Sequence, residues 1–184
     1  MGILNFVKPD KIVLQKATEF EAIFEFRPLE PGYGVTIGNS LRRVLLNSLE
    51  GYAIIGINIA GADHEFATLK GITEDVTEII LNLKQVRIKK KVEHDASVEK
   101  VTLSIKNKTE FTAGMIGEAS PTFEVMNPEL LICTMDSSAK LDIEITIGKG
   151  RGYVPAEENK EKNNHFGYIA VDAIYTPIKN VKYS

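Results

Sequence analysis

Apolar residues follow two different periods along the chain, and these periods separate predicted strands from predicted helices. Residues 19–27 carry phenylalanine or alanine at every second position, which predicts a strand with one buried side. Residues 11–16 are its predicted hairpin partner. Because the same alternation recurs at residues 100–106 and 139–147, we expect several antiparallel strands.

Two segments have helical spacing instead. The first covers residues 38–51, with Asn39 or Ser40 as the predicted N-cap and Gly51 as the predicted C-terminal stop. The second covers residues 73–84, with acidic residues in its first turn and a lysine in its last, where they complement the helix dipole. Two helices among many strands predict an α+β fold with segregated elements rather than alternating βαβ units.

One side of the first helix is predicted to face outward. Its apolar stripe, which we expect to face the core, consists of Leu41, Val44, Leu45 and Leu49. Arg43 falls opposite this stripe, whereas Arg42 and Leu46 lie together on its flank. Arginine and exposed aliphatic side chains suit protein interfaces, so this helix is a candidate docking element. An ordinary surface helix with a solvated arginine pair explains the same pattern.

The sequence predicts a specific local structure for three further segments. Gly56 interrupts an apolar strand at residues 53–59, which predicts a bulge or a close backbone approach. Residues 154–164 are polar and charged, which predicts a mobile surface loop. The glycines of residues 148–152 predict a turn at a strand end, and a phosphate-binding loop is the less specific alternative because the full P-loop pattern is missing.

Length, charge and cysteine content restrict the class of protein. The 184 residues suit one domain or two small ones with a substantial core. The net charge of -3 and the pI of about 5.7 argue against a dedicated nucleic-acid binder. Cys133, the single cysteine, is predicted to be a buried structural thiol. No run approaches the roughly 18 apolar residues of a membrane span, and no signal peptide is evident, so we expect a soluble, cytoplasmic chain.

No pattern of catalytic or metal-binding residues appears. His64, His94 and His165 lack zinc-site spacing, and the serines lie in no nucleophile elbow, so we predict no catalytic residue, metal or cofactor. Residues 84–91 mix cations with Val and Ile. This run is either an exposed edge strand protected by lysines or part of a single-stranded oligonucleotide-binding surface, although it contains no aromatic residue for base stacking.

Four blocks of residues carry a family resemblance. In chain order they are LEPGYGVTIGNSLRRVLL at 29–46, HEF at 64–66 followed by GITEDVTEIILNLK at 71–84, GRGYVPA at 150–156 and VDAIYTP at 171–177. This ordered set resembles the N-terminal domain of the bacterial RNA polymerase alpha subunit. The resemblance covers nearly the whole chain, from residues 6–9 near its start to Tyr183.

The resemblance implies a non-catalytic scaffold subunit of DNA-directed RNA polymerase, which is a nucleotidyltransferase complex. In this family two alpha copies dimerise and recruit the beta and beta-prime subunits. Residues 1–52 with 179–184 would form an antiparallel-sheet dimerisation subdomain with the docking helix, and residues 53–178 an inserted β-rich subdomain. The family continues past the equivalent of Tyr183 with a helix that packs on the partner copy and a DNA-contacting domain. We therefore expect a fragment with a weakened homodimer, and no contact with DNA or membrane.

The resemblance also assigns contact residues to each partner. The residues matched to the beta subunit are Arg42, Arg43, Leu46 and Lys84. The residues matched to the beta-prime side are Gly167, Tyr168, Asp172, Tyr175 and Pro177. The residues matched to dimerisation are Tyr33, Leu41, Val44 and Leu45. The alternative function is a stand-alone module that binds single-stranded oligonucleotides through residues 84–91.

Overall fold

A computed structural model describes residue 7 and residues 9–91, 98–162 and 167–184, with only the backbone at residues 161 and 162. Phe6 and Lys8 of the opening block, and the histidines His94 and His165, lie outside the described residues. The chain divides into two units, of which the first is Met1–Leu45 with Asn180–Ser184 and the second is Leu46–Lys179. The assignment of a dimerisation subdomain and an inserted subdomain to residues 1–52 with 179–184 and 53–178 stays a prediction.

The first unit contains the predicted hairpin. Strand β1 (Lys11–Ala17) pairs antiparallel with β2 (Ala22–Arg27), and the register shifts between Leu14 and Lys16. The prediction of a buried side is wrong, because Phe24 is 56% exposed and Phe20, which precedes the strand, is 96% exposed. The alternating apolar pattern therefore identifies the strand correctly, while the described residues leave much of its apolar face uncovered.

Helix α1 (Tyr33–Asn47) begins well before the predicted caps and ends before the predicted stop. Its two glycines, which weaken helix propensity, concealed the first turns in the sequence pattern. The Ser40 hydroxyl donates to the Thr36 carbonyl one turn earlier, at 2.8 Å, so Ser40 lies inside the helix and does not cap it. Gly51 lies in the following strand rather than at the helix end.

The second unit is built on a six-stranded antiparallel sheet with the order β5-β9-β3-β4-β7, to which β11 adds by pairing with β3. The sheet strands are β3 (Glu50–Ile59), β4 (Ile88–Lys90), β5 (Val98–Lys106), β7 (Phe123–Val125), β9 (Lys140–Arg151) and β11 (Tyr168–Ala170). The other elements among the described residues of this unit are α2 (Val76–Leu83), β6 (Glu110–Thr112), α3 (Ala113–Ala119), β8 (Leu131–Thr134), β10 (Tyr153–Val154), α4 (Ala156–Lys162) and β12 (Ala173–Ile174). The predicted α+β class is confirmed.

Strand β9 contributes every second side chain to the core of this unit. The inward side chains of β9 are almost completely buried: Leu141, Ile143, Ile145 and Ile147. The predicted irregularity at Gly56 is also confirmed, because the β3–β9 register shifts between Ile54 and Gly56. The Tyr168 ring occupies the space that a Cβ at Gly56 would need, so the absence of a side chain there permits the close approach.

Helix α2 confirms the second helical prediction, with a start at Val76. Asp75 Oδ1 accepts the Glu78 N–H at 2.8 Å, and Glu78 Oε2 accepts the Asp75 N–H at 3.3 Å, which completes a capping box. Val76, Ile79 and Leu83 are buried. In the part of the chain that the structure describes, no helix has both the length and the apolar character needed to cross a membrane.

Strand β4 is not the edge strand that its lysines suggested. It pairs with β3 on one side and β7 on the other, so it lies inside the sheet. The Lys90 ammonium lies 5.7 Å from the centre of the Tyr52 ring on β3, in a cation–π contact. A long lysine stem can cover an aromatic ring while its charge stays near solvent, which is why a central strand tolerates this composition.

Two polar segments are more regular than predicted. The segment expected to be a loop contains α4, held in place by Asn159, which is 3% exposed and donates from Nδ2 to the Val171 carbonyl at 2.9 Å. The glycine-rich segment expected to turn away from a strand continues β9 as far as Arg151. A single buried asparagine anchors a helix that has almost no apolar face, so periodicity could not reveal it.

Candidate functional site

Helix α1 has no buried residue in this chain. Arg43 is exposed, as its position opposite the apolar stripe predicted. The prediction that the stripe faces a core is wrong, since Val44 is 49% exposed and Leu41 and Leu45 are only half-buried. Leu46 is also half-buried rather than fully outward. The least exposed side of the helix is thus rotated toward Arg42 and Leu46.

The end of the chain explains this rotation within the first unit. Arg42 is half-buried, and its guanidinium donates to the backbone carbonyl of Val181. The Tyr183 ring lies against Gly38, where a Cβ would come within 2.6 Å of ring carbons. Residues 181–183 therefore pack along the Gly38–Arg42 side of α1. The contact between Arg42 and the beta subunit stays a prediction.

Both elements of the first unit expose apolar side chains. On the hairpin, Ile12 is 66% exposed and Leu14 is 53% exposed, on the same face as Phe24. On α1, Val35 is 66% exposed and Tyr33 is 44% exposed. Soluble monomers rarely leave so many large apolar groups in water, and surfaces of this kind are typical of protein–protein contacts.

Lys84 and Asp172 form an ion pair in the second unit. Lys84 is the C-cap of α2, and its Nζ lies 2.6 Å from Asp172 Oδ2. The two side chains are only 22% and 30% exposed. The sequence resemblance assigned these residues to different partners, yet the structure places them together.

The Asp172 carboxylate has a partner at each of its two oxygens. It lies between β11 and β12, and its Oδ1 accepts the backbone N–H of Ala156, the first residue of α4, at 2.9 Å. The Lys84 ammonium lowers the pKa of Asp172 below its ordinary value, against the opposing effect of burial, and the Ala156 N–H and Tyr153 hydroxyl lower this pKa further. Sequence reasoning missed this cluster, although its members lie in three of the four family blocks.

The other residues matched to the beta-prime side differ in accessibility. Tyr175 is buried, at 7% exposure, and burial raises its pKa. Gly167 has a φ of +76°, and the hydroxyl of the neighbouring Tyr168 donates to the Ile55 carbonyl at 3.2 Å. Pro177 is exposed. Within this set, Pro177 is therefore open to solvent while the Tyr175 side chain belongs to the interior.

The glycine-rich segment is a packing site rather than a free phosphate cradle. Glu50 Oε2 lies 2.7 Å from Lys149 Nζ, and Glu50 Oε1 lies 2.7 Å from Arg151 Nη2. Hydrogen bonds from Lys149 and then Arg151 lower the pKa of Glu50 to about 2. Gly150 leaves room for the Tyr175 ring, which would lie 2.5 Å from an added Cβ. Both cations that could hold a phosphate thus already have a carboxylate partner.

Residues 84–91 form no row of exposed aromatic side chains for base stacking, and Tyr52, the aromatic ring beside Lys90, is half-buried.

Cys133 is fully buried, and burial followed by the charge of Glu74 raises the pKa of its thiol to about 12, which confirms a structural thiol. Among the described residues, no three His, Cys, Asp or Glu side chains cluster as metal ligands.

Comparison with known proteins identifies the family of this chain. A family profile described as RNA polymerase Rpb3/RpoA insert domain matches residues 57–176. The chain is 59% identical over 184 residues to the DNA-directed RNA polymerase subunit alpha of Cytophaga hutchinsonii, covering 100% of this chain and 55% of that protein. Proteins of the same name from Flavobacterium psychrophilum and Bacteroides fragilis are each 58% identical over 100% of this chain and 56% of their own length. The chain thus spans about half the length of these relatives. The resemblance inferred from the four blocks is confirmed, and the chain belongs to the bacterial RNA polymerase alpha-subunit family that contains the Rpb3/RpoA insert domain.

Proposed function

We propose that this chain is a non-catalytic scaffold subunit of DNA-directed RNA polymerase that dimerises and then recruits the beta and beta-prime subunits. The exposed apolar surface of the first unit carries the proposal, because it needs cover from another polypeptide. The relatives are named as the alpha subunit of DNA-directed RNA polymerase, which favours this polymerase as the complex that such a surface would join.

A second copy of the chain is the proposed cover for the first unit. Apolar residues from both the hairpin and α1 contribute to this surface, and symmetric pairing of identical patches is the commonest way for soluble proteins to bury one. Tyr33, Leu41, Val44 and Leu45 remain the proposed dimerisation residues. Arg43, which is exposed, then provides a contact for the beta subunit, together with Arg42, Leu46 and Lys84.

Replacement of Arg43 by alanine tests the recruitment step. Because Arg43 is exposed, Arg43→Ala should leave the thermal unfolding and the self-association of the chain unchanged. Loss of an interface arginine anchor should reduce co-purification of the beta subunit at least about tenfold. The measurement is affinity capture of the tagged chain co-expressed with both large subunits, quantified on gels.

Arg27→Ala is the matched control for this experiment. Arg27 is also an exposed arginine of the first unit, where it lies on β2, 3.6 Å from Glu25. This variant should retain the beta subunit. Equal recovery of the beta subunit with the wild-type chain and with Arg43→Ala would refute the role of Arg43.

A further inference from the structure

Asp172 connects two elements of the second unit through a single carboxylate. Its partners are the Lys84 ammonium at the end of α2 and the Ala156 N–H at the start of α4. The proposed function uses Lys84 as a contact for the beta subunit, whereas the family resemblance matches Asp172 only to the beta-prime side. The ion pair therefore raises the question of what Asp172 does for Lys84.

We propose that Asp172 is a positioning residue for the contact between Lys84 and the beta subunit, and that this contact is a hydrogen bond from the Lys84 ammonium to a carboxylate or carbonyl oxygen of that subunit. This inference rests on the proposed function. Asp172 acts through Lys84 and need not touch the partner.

The number of donors on the ammonium supports this division of roles. A lysine ammonium has three N–H groups, and Asp172 Oδ2 accepts one of them at 2.6 Å. The Lys84 side chain is 22% exposed, so the described residues do not enclose it completely. The proposed partner oxygen binds one of the two remaining N–H groups and leaves the contact with Asp172 in place.

The backbone around Lys84 is fixed as well as its side chain. The Lys84 N–H donates to the Ile80 carbonyl at 3.0 Å, and Arg87 Nη1 donates to the Lys84 carbonyl at 3.4 Å. A lysine side chain normally loses considerable rotamer freedom when it binds. Asp172 has already restricted this freedom in the unbound chain, which makes docking less costly in entropy.

The Lys84–Asp172 pair also differs from the other ion pairs of the described residues. In each of those, the cationic side chain is at least 43% exposed, as in the pair of Lys100 with Glu144, where the exposures are 54% and 35%. Exposed pairs hold their side chains only weakly because water and salt compete for them. Lys84 is the one cation among these pairs that is held in a largely desolvated position.

Asp172→Asn tests the proposal with little disturbance of the fold. An asparagine can keep an oxygen for the Ala156 N–H, but it removes the charge that holds Lys84. Affinity of the chain for purified beta subunit, measured by biolayer interferometry, should fall about three- to tenfold. Glu144→Gln, which removes the exposed pair with Lys100, is the matched control and should change the affinity less than about twofold.

A double-variant cycle separates positioning from a general structural effect. Lys84→Gln alone should weaken binding, and adding Asp172→Asn to it should weaken binding no further, because the positioned group is already gone. A merely structural role would give the same loss in both backgrounds. Unchanged or tighter binding of Asp172→Asn overturns the inference while the wild-type chain still binds, whereas failure of the wild-type chain to bind beta removes the proposed function as well.

Discussion

Glu50 shows how one side chain can link two strands of the sheet by charge. It lies at the start of β3 and pairs with Lys149 and Arg151, which both lie on β9. These side chains are 43% to 64% exposed, which makes the link sensitive to solvent conditions. The pKa of about 2 nevertheless indicates that the carboxylate is strongly favoured in the folded chain.

The lowered pKa of Glu50 predicts a specific pH dependence. A carboxyl group whose folded pKa is depressed contributes stability above its unfolded pKa, here near 4.5, and this contribution disappears as the pH falls toward 2. The free energy of unfolding of wild type should exceed that of Glu50→Gln at pH 7, and the two values should converge between pH 5 and about 2.

Urea denaturation at a series of pH values measures this difference. Glu129→Gln is a suitable control, since Glu129 is exposed and takes part in none of the ion pairs found among the described residues. Its difference from wild type should stay constant over the same range. A Glu50→Gln difference that is independent of pH would show that the paired carboxylate contributes no stability.

At the scale of elements, the capping box of α2 is the clearest local determinant. Asp75→Ala removes the oxygen that accepts the Glu78 N–H, so the free energy of unfolding should fall by about 1 kcal/mol. Asp75→Asn, which keeps a capping oxygen, should lose only a small part of this. Thermal unfolding followed by circular dichroism compares the two variants, and equal stability of all three chains would contradict a role for the cap.

Local pattern predicted those elements whose burial comes from one regular face. Strand β9 alternates because one side packs in the core, and α2 has both a cap signal and a buried stripe. The start of α1 and the whole of α4 escaped prediction for physical reasons. Glycines conceal the former, and the latter is anchored by hydrogen bonds of Asn159 to Val171 and of Ala156 to Asp172, which a local pattern does not reveal.

The candidate site could be predicted only in part, because some of its residues are placed by contacts between distant parts of the chain. The exposure of Arg43 follows from helix geometry, which a sequence reveals. The half-burial of Arg42 depends on Val181, and the position of Lys84 depends on Asp172, so both arise from contacts between distant residues. Pattern analysis assigns a residue to a face, but it cannot show which remote segment lies against that face.

At the scale of the whole molecule, the proposed dimer should be sensitive to charge on α1. Val44 is 49% exposed, and a glutamate there would be desolvated in the dimer without a partner, so Val44→Glu should raise the dimer dissociation constant at least about tenfold. Sedimentation velocity over a range of concentrations measures this constant.

A valine of similar exposure in the second unit provides the comparison. Val98 is 46% exposed at the start of β5, and Val98→Glu should leave the dissociation constant unchanged. If Val44→Glu and the wild-type chain sediment alike at every concentration, the surface around Val44 is not where two copies meet.

Helix α1 has no buried residue in the single chain, so we expect its order to depend on the concentration of the chain. In the proposed dimer, a second copy that binds only the ordered helix would act as a ligand, so mass action would favour the folded form as the concentration of the chain rises. The second unit, with its own isoleucine-rich interior, is free of this dependence. Dilution should therefore loosen the first unit while the second unit stays folded, so formation of the proposed dimer would depend on how much of this chain is present.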